Sequence, residues 1–196
     1  DQSGQTEFFY DKLGREIKST KTVDATAYTV ERTYDLLDRL TSLKYPDGAV
    51  VNYQYDANSG NLERVFTSDE ILATSDYVKD ITYDAQGKIK TIQYGNNTKT
   101  TYTYGNDLRL EHILTRSPAH PQTLQDLYYN FDKNGNLISL TDNLTHKIRT
   151  YEYDDLDRLT YARNIPTPDG FGKDQNFTYD AIGNITYKSD VGTFTY

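Results

Sequence analysis

The chain contains no cysteine, no methionine and no tryptophan in 196 residues. Without cysteine there is neither a disulfide framework nor a thiolate metal site. No apolar run approaches the roughly 18–20 residues of a membrane-spanning helix, so membrane insertion is not expected. Nothing at Asp1 has the pattern of a signal peptide. The lack of methionine even at position 1, with a repeated pattern reaching both ends, suggests a segment excised from a longer polypeptide. Positive charge is also outweighed. Lys and Arg number 21 against 29 Asp and Glu, leaving a net charge of −8. The cations are interleaved with acids, whereas a phosphate backbone demands clustered ones, so no nucleic-acid partner is expected. Apolar residues make up only 36% of the chain, below the about 45–50% of ordinary globular domains.

Tyrosine is what the chain has in quantity, with 19 Tyr beside 7 Phe. A tyrosine ring packs on one side and offers a polar tip to water on the other. Such a composition suits a wide, half-wet surface better than a deep apolar centre.

The tyrosines recur in a motif. An aromatic-Asp pair begins Tyr10-Asp11-Lys-Leu-Gly14-Arg, Tyr34-Asp35-Leu-Leu-Asp-Arg-Leu, Tyr55-Asp56-Ala-Asn-Ser-Gly60-Asn-Leu and Tyr83-Asp84-Ala-Gln-Gly87-Lys-Ile. A degraded copy follows at Tyr104-Gly105-Asn-Asp-Leu-Arg-Leu. The last three are Phe131-Asp132-Lys-Asn-Gly135-Asn-Leu, Tyr153-Asp154-Asp-Leu-Asp-Arg-Leu and Tyr179-Asp180-Ala-Ile-Gly183-Asn-Ile. The chain therefore reads as a single array over 1–196 of about eight repeats, starting near 8, 32, 53, 81, 102, 129, 151 and 177. Repeats of this length are supersecondary units that stack on their neighbours.

Each part of the motif has a physical reason. Two residues before the aromatic stands another large apolar residue, as at Phe8, Tyr53, Ile81, Tyr102, Tyr129, Tyr151 and Phe177, with Arg32 the exception. That period of two marks a half-buried strand, and Thr82, Thr103 and Thr178 between the pairs suit its other face. Asp followed three places later by Gly fits a type I turn, with the Asp accepting from turn N–H groups and the Gly taking a left-handed conformation. Asp38 and Asp157 replace that Gly, and Asp tolerates positive φ better than most residues. Asn58-Ser59-Gly60 has one residue more, so that turn is expected to be longer. An apolar residue then opens the next strand, except that Glu16 holds this place in the first copy. Helix periodicity is absent, apart from one short helical turn expected within Ser68 to Asp80.

The Tyr-Asp-x-x-Gly-Arg-Leu pattern resembles the YD repeat, also called the RHS (rearrangement hotspot) repeat, from about Phe8 to Tyr196. The resemblance implies an all-β fold: tandem antiparallel β-hairpins forming a curved, twisted sheet, a segment of a spiral shell or barrel. It implies a non-catalytic structural role, in which the shell encapsulates or displays a toxin or effector domain. A carbohydrate- or cell-surface-binding role, as proposed for some wall-associated members, is the alternative. The implied partners are further repeats or domains of the same chain, an encapsulated toxin domain and glycans. The implied location is secreted or at a bacterial cell surface. The core segment and variable toxin domain that follow the repeats in RHS toxins are not in this sequence, so autoproteolysis and toxicity do not carry over.

Chemical candidates are few, and no catalytic, cofactor or metal residue is expected. Asp11, Asp35, Asp56, Asp84, Asp132, Asp154 and Asp180 recur identically and read as turn residues with Gly14, Gly60, Gly87, Gly135 and Gly183, not as the paired acids of a glycosidase. The turns at Asp56 and Asp132 open like calcium loops but lack the later Gly and Glu of an EF-hand. His112, His120 and His146 have no ligand spacing. The Tyr-x-Tyr pairs Tyr53/Tyr55, Tyr102/Tyr104 and Tyr151/Tyr153 are the one candidate ligand face, with cross-strand packing as the competing reading. Outer strands of such an array invite edge-to-edge self-association.

Overall fold

The computed structural model describes residues 4–67, 75–118, 120–164 and 174–196. The chain falls into two compact units, Asp1–Thr98 and Lys99–Tyr196. Both are built only of antiparallel strands, and the described residues contain no helix.

The first unit is a meander of four motif hairpins. They are β1 (Gln5–Tyr10) with β2 (Glu16–Val23), β3 (Thr26–Tyr34) with β4 (Leu40–Lys44), β5 (Val50–Tyr55) with β6 (Leu62–Thr67), and β7 (Ser75–Tyr83) with β8 (Ile89–Tyr94). Each strand pairs with the next in sequence. The second unit repeats the plan with β9 (Lys99–Tyr104), β10 (Leu110–Ser117), β11 (His120–Phe131), β12 (Leu137–Asp142), β13 (Lys147–Tyr153), β14 (Leu159–Asn164), β15 (Gln175–Tyr179), β16 (Ile185–Lys188) and β17 (Gly192–Thr193). In a meander successive turns lie at opposite strand ends. Every Tyr-Asp turn thus falls at one end of its strip, and the connections between repeats fall at the other.

One expectation needs correcting. Ser75–Asp80, the later part of the stretch read as a helical turn, is strand β7; residues 68–74 lie outside the described residues. Val78, Ile81 and Tyr83 are half-buried, a bulge between Val78 and Asp80 interrupting the alternation, and pairing with β6 and β8 fixes the strand conformation.

All eight motif hairpins carry a register shift near the motif aromatic. Thr33 pairs with Ser42 while Tyr34 pairs with Leu40, leaving Thr41 unmatched. Such a bulge bends the strand and adds local twist. On the polar face, hydroxyls close across the strands: Thr33 to Ser42 at 2.7 Å, Thr82 to Thr91 at 2.7 Å and Thr178 to Thr186 at 2.8 Å. The apolar face is only half-buried, and no apolar side chain among the described residues is buried outright. These units therefore lack the dense interior that holds an ordinary domain together, and order has to come from contacts between hairpins.

Candidate functional site: a ladder between turns

Seven of the eight motif turns share one backbone. In the turn at Asp84, the Asp84 N–H donates to Lys88 O at 2.8 Å and the Gly87 N–H returns to Asp84 O at 3.1 Å. The carboxylate Oδ1 accepts from the backbone of Gln86 at 2.9 Å and of Lys88 at 2.8 Å. The same pair of acceptances recurs at Asp11, Asp35, Asp154 and Asp180. At Asp132 the donors are Gly135 and Asn136. Gly14, Gly60, Gly87, Gly135 and Gly183 all have positive φ, and so do their stand-ins Asp38 (62°) and Asp157 (60°). The Asp56 turn is one residue longer, with Gly60 N–H donating to Asp56 O and Asp56 N–H to Asn61 O, each at 2.9 Å.

Electrostatics follow from this bonding. Backbone donation from Arg15, followed by its side chain, holds the Asp11 carboxyl below the usual range, and backbone donation from Arg39 does the same at Asp35. The Arg158 side chain leads at Asp154, and Ser59 N–H at Asp56. At Asp132 and Asp180 desolvation pushes upward, but donors from Asn136 and Asn184 outweigh it and the net direction is down.

The second Asp oxygen aims the residue after the turn. Asp11, Asp35 and Asp154 each accept the Nε of Arg15, Arg39 and Arg158 at 2.7 Å. Held this way, these guanidiniums reach the following hairpin, and Arg109, which has no motif Asp behind it, does the same. Arg15 Nη1 donates to Asp35 O at 3.0 Å, Arg39 Nη1 to Gly60 O at 3.0 Å, Arg109 Nη1 to Asp132 O at 2.6 Å and Arg158 Nη1 to Asp180 O at 3.1 Å. The same guanidiniums lie over the next motif ring, at 5.0 Å from Tyr34, 4.4 Å from Tyr55, 5.8 Å from Phe131 and 4.7 Å from Tyr179. That is the geometry of a cation–π contact.

The tyrosine answers in the other direction. Its hydroxyl donates to the first carbonyl of the strand leaving the preceding turn. Tyr34 reaches Glu16 O at 2.9 Å, Tyr55 Leu40 O at 2.9 Å, Tyr83 Leu62 O at 2.8 Å, Tyr153 Leu137 O at 3.0 Å and Tyr179 Leu159 O at 2.8 Å. Desolvation raises the pKa of Tyr55, Tyr83 and Tyr153, which keeps these hydroxyls protonated as donors. Tyr196 makes the same contact with Ile185 O at 3.1 Å, so it occupies the place of a ninth motif tyrosine.

The departures from the motif prove to be partnered. Glu16 stands where other copies have Leu or Ile, and Arg32 where others have an apolar residue; their side chains form an ion pair at 2.5 Å. Asp38 receives Arg15 Nη1 at 2.7 Å, and Asp157 receives Asn136 Nδ2 at 2.6 Å and Asn134 Nδ2 at 3.0 Å. Each Asp that replaces the turn Gly is thus met by a donor from the preceding hairpin.

A family model for the RHS repeat matches residues 34–65 and 131–164. The chain thus carries RHS repeats in these two stretches. Among the relatives of this chain, the toxin subunit YenC2 of Yersinia entomophaga is 26% identical over 220 aligned positions, covering 94% of this chain and 22% of that protein. The toxin subunit YenC1 of the same organism is 27% identical, covering 88% of this chain and 18% of its own length. The chain thus spans about a fifth of the length of the curated relatives it matches. The crystal structure of TcdB2-TccC3 superposes with a TM-score of 0.76 at 24% identity, over 96% of this chain and 12% of that one. The Photorhabdus luminescens Tc holotoxin pore superposes at 0.75 and 23% identity, over 98% and 11%. At these identities the likeness establishes the fold.

Within the RHS repeats, the proposed ligand tyrosines divide. Tyr55 and Tyr153 spend their hydroxyls on the ladder, and Tyr53 and Tyr151 are half-buried beside them. Tyr102 and Tyr104 lie in β9, facing the same side as Ile113 and Leu110 opposite them. His112 sits against Asp126, Nε2 to Oδ1 at 2.7 Å, and stacks on Tyr128 at 3.9 Å. His146 holds a left-handed turn position, and the His120 side chain lies outside the described residues. No group of three or more acidic or imidazole side chains among the described residues could hold a metal ion.

Proposed function

We propose that this chain is a non-catalytic stretch of wall in a larger RHS protein, and that the wall encloses or displays another domain of the same polypeptide. The ladder carries this reading. Within each unit it fastens hairpin to hairpin through a guanidinium, a tyrosine hydroxyl or both, which stiffens an array whose described residues include no buried apolar side chain. Length can then be added without enlarging a core, which suits an enclosure. The relatives support the same direction, since they are named as toxin subunits. The partners are then further repeats of the parent chain and an enclosed toxin domain, outside the bacterial cell or at its surface. The exposed apolar turn residues Leu36 (101%) and Ile182 (85%) suit contact with such neighbours. Exposed Phe8 and Tyr10 on β1 suit edge-to-edge association of the isolated chain.

Tyr53, Tyr55, Tyr102, Tyr104, Tyr151 and Tyr153 act as wall lining in this proposal and not as a glycan site, because Tyr55 and Tyr153 are already engaged in the ladder. Limited proteolysis of the full gene product tests it. An enclosed domain resists protease, and becomes sensitive when Arg158→Ala and Tyr153→Phe are combined. Equal sensitivity with and without the ladder, together with saturable glycan binding lost on Tyr102→Ala, overturns the wall reading.

A further inference from the structure

Arginine does not follow every turn, and the rung between the third and fourth hairpins is one that lacks it. The Asp56 turn is followed by Asn61, not arginine, so this rung has no guanidinium of its own. At the same place lies a cavity of about 340 Å³ whose lining includes Asp56, Asn61, Glu63, Asp80, Tyr83 and Asp84. Four acidic residues thus line one cavity together with Tyr83.

Elsewhere in the same chain, the groups that meet a guanidinium are of three kinds: the carboxylate of the preceding turn, a carbonyl of the following turn and the ring of the following motif aromatic. Arg158 meets Asp154, Asp180 O and Tyr179 in this way, and Arg39 meets Asp35, Gly60 O and Tyr55. The cavity presents the corresponding set in Asp56, the turn of Asp84 and Tyr83. Tyr83 is already fixed by its hydroxyl on Leu62 O at 2.8 Å, which sets the ring orientation as in the occupied rungs. Hydrogen bonds from Ser59 hold the Asp56 carboxyl in its charged form, with its Oδ1 taken by the turn.

The geometry points to a binding site for a guanidinium group supplied from outside the rung, that of an arginine side chain presented by an extended peptide. A planar fork fits one carboxylate, one carbonyl and one ring face together, whereas a compact ammonium satisfies fewer of them at once. A metal ion is a poor fit, because the lining carboxylates do not converge as ligands. Glu63 and Asp80 also line the cavity and add negative charge, which raises the local concentration of a cationic side chain. The inference rests on the ladder geometry and does not depend on the wall reading.

Nuclear magnetic resonance on the 196-residue chain tests it. The probe is N-acetyl-L-arginine methylamide, with free L-arginine and N-acetyl-L-lysine methylamide titrated in parallel. Saturable shifts are expected at the Asp84 amide and the Tyr83 ring, with Kd on the order of millimolar for so small a ligand. The lysine compound should bind several-fold more weakly. Equal response to the capped and the free arginine assigns recognition to the guanidinium alone, while preference for the capped compound identifies a peptide site; both support the proposal. Asn61→Arg places a guanidinium in the rung from within and should abolish the shifts, while Asn61→Gln should leave them. No saturable shift in the natural sequence, equal binding of the lysine compound, or binding unchanged in a folded Asn61→Arg chain overturns the assignment.

Discussion

The turn at Asp154 and the turn at Gly105 have the same backbone and different side chains. Asp154 N–H donates to Arg158 O at 3.0 Å and Asp157 N–H to Asp154 O at 2.9 Å; Gly105 and Leu108 make the corresponding bonds at 2.9 Å each. Neither motif residue is therefore required to close the turn. What the Gly105 turn loses is aim and comfort. Its Arg109 is held by Asp107, from inside the turn, at 3.4 Å in place of 2.7 Å. Leu108 sits at φ 66°, where an L side chain without a polar group is strained. Arg109 still reaches the next hairpin, at Asp132 O. The cross-hairpin contact thus outlasts the residues that normally prepare it.

The comparison can be broken by mutation. Arg158→Ala removes a chelated guanidinium, a carbonyl contact and a ring contact together. It should lower stability by about 2 kcal/mol after allowance for solvent screening, and Arg109→Ala by less. Urea midpoints for the two variants measure the difference; equal losses would mean that the Asp grip contributes nothing. Asp84→Ala should cost about 1 kcal/mol, the scale of a lost side-chain cap, and an unmoved melting temperature would contradict the turn bonding at Asp84. Tyr153→Phe deletes one hydroxyl donor and should cost about 1 kcal/mol or slightly less, whereas Phe131→Tyr, which adds the hydroxyl that the sixth repeat lacks, should not destabilise.

Smaller effects sharpen the same contrast. Leu108→Gly relieves the strained φ but frees the unfolded chain, so a net gain of about 0.5–1 kcal/mol is expected; the matching Asp157→Gly should gain less, because Asp157 is bonded to Asn136. Acid should weaken the regular turns first. Asp11, Asp35, Asp154 and Asp180 have folded pKa values below the ordinary 3.8. Their contribution is therefore present above about pH 4 and lost as pH falls through the folded values. Amide exchange followed from pH 6 to pH 3 should show protection fading at Leu156 and Arg158 before Leu108. Simultaneous loss would assign acid sensitivity to something other than these carboxylates.

Much of the fold is legible in the sequence because the motif acts over short distances. Tyr-Asp-x-x-Gly specifies strand, turn and strand through bonds between residues two to four apart, and the alternation around Tyr83 or Tyr179 assigns the faces. The extra residue in Asn58-Ser59-Gly60 likewise announces a longer turn. The helical turn expected within Ser68 to Asp80 goes astray for the converse reason: residues 75–80 take their conformation from pairing with β6 and β8, which a local window does not contain. The ladder was not legible either. The motif Arg and Tyr look like turn and face residues until the neighbouring hairpin, some 15 to 24 residues away, is in place.

By itself the sequence determined eight hairpins, their turn chemistry and their two-faced strands, because those depend on bonds closed within a single repeat. Only the tertiary structure decided who meets whom between repeats. It joined Glu16 to Arg32, gave Asp38 and Asp157 their donors, and brought acidic residues to the cavity that Tyr83 lines, where the preceding turn offers Asn61 in place of arginine. The physical reason is that these contacts depend on strand register and on the bulge beside each motif aromatic, and both are set by pairing across the sheet.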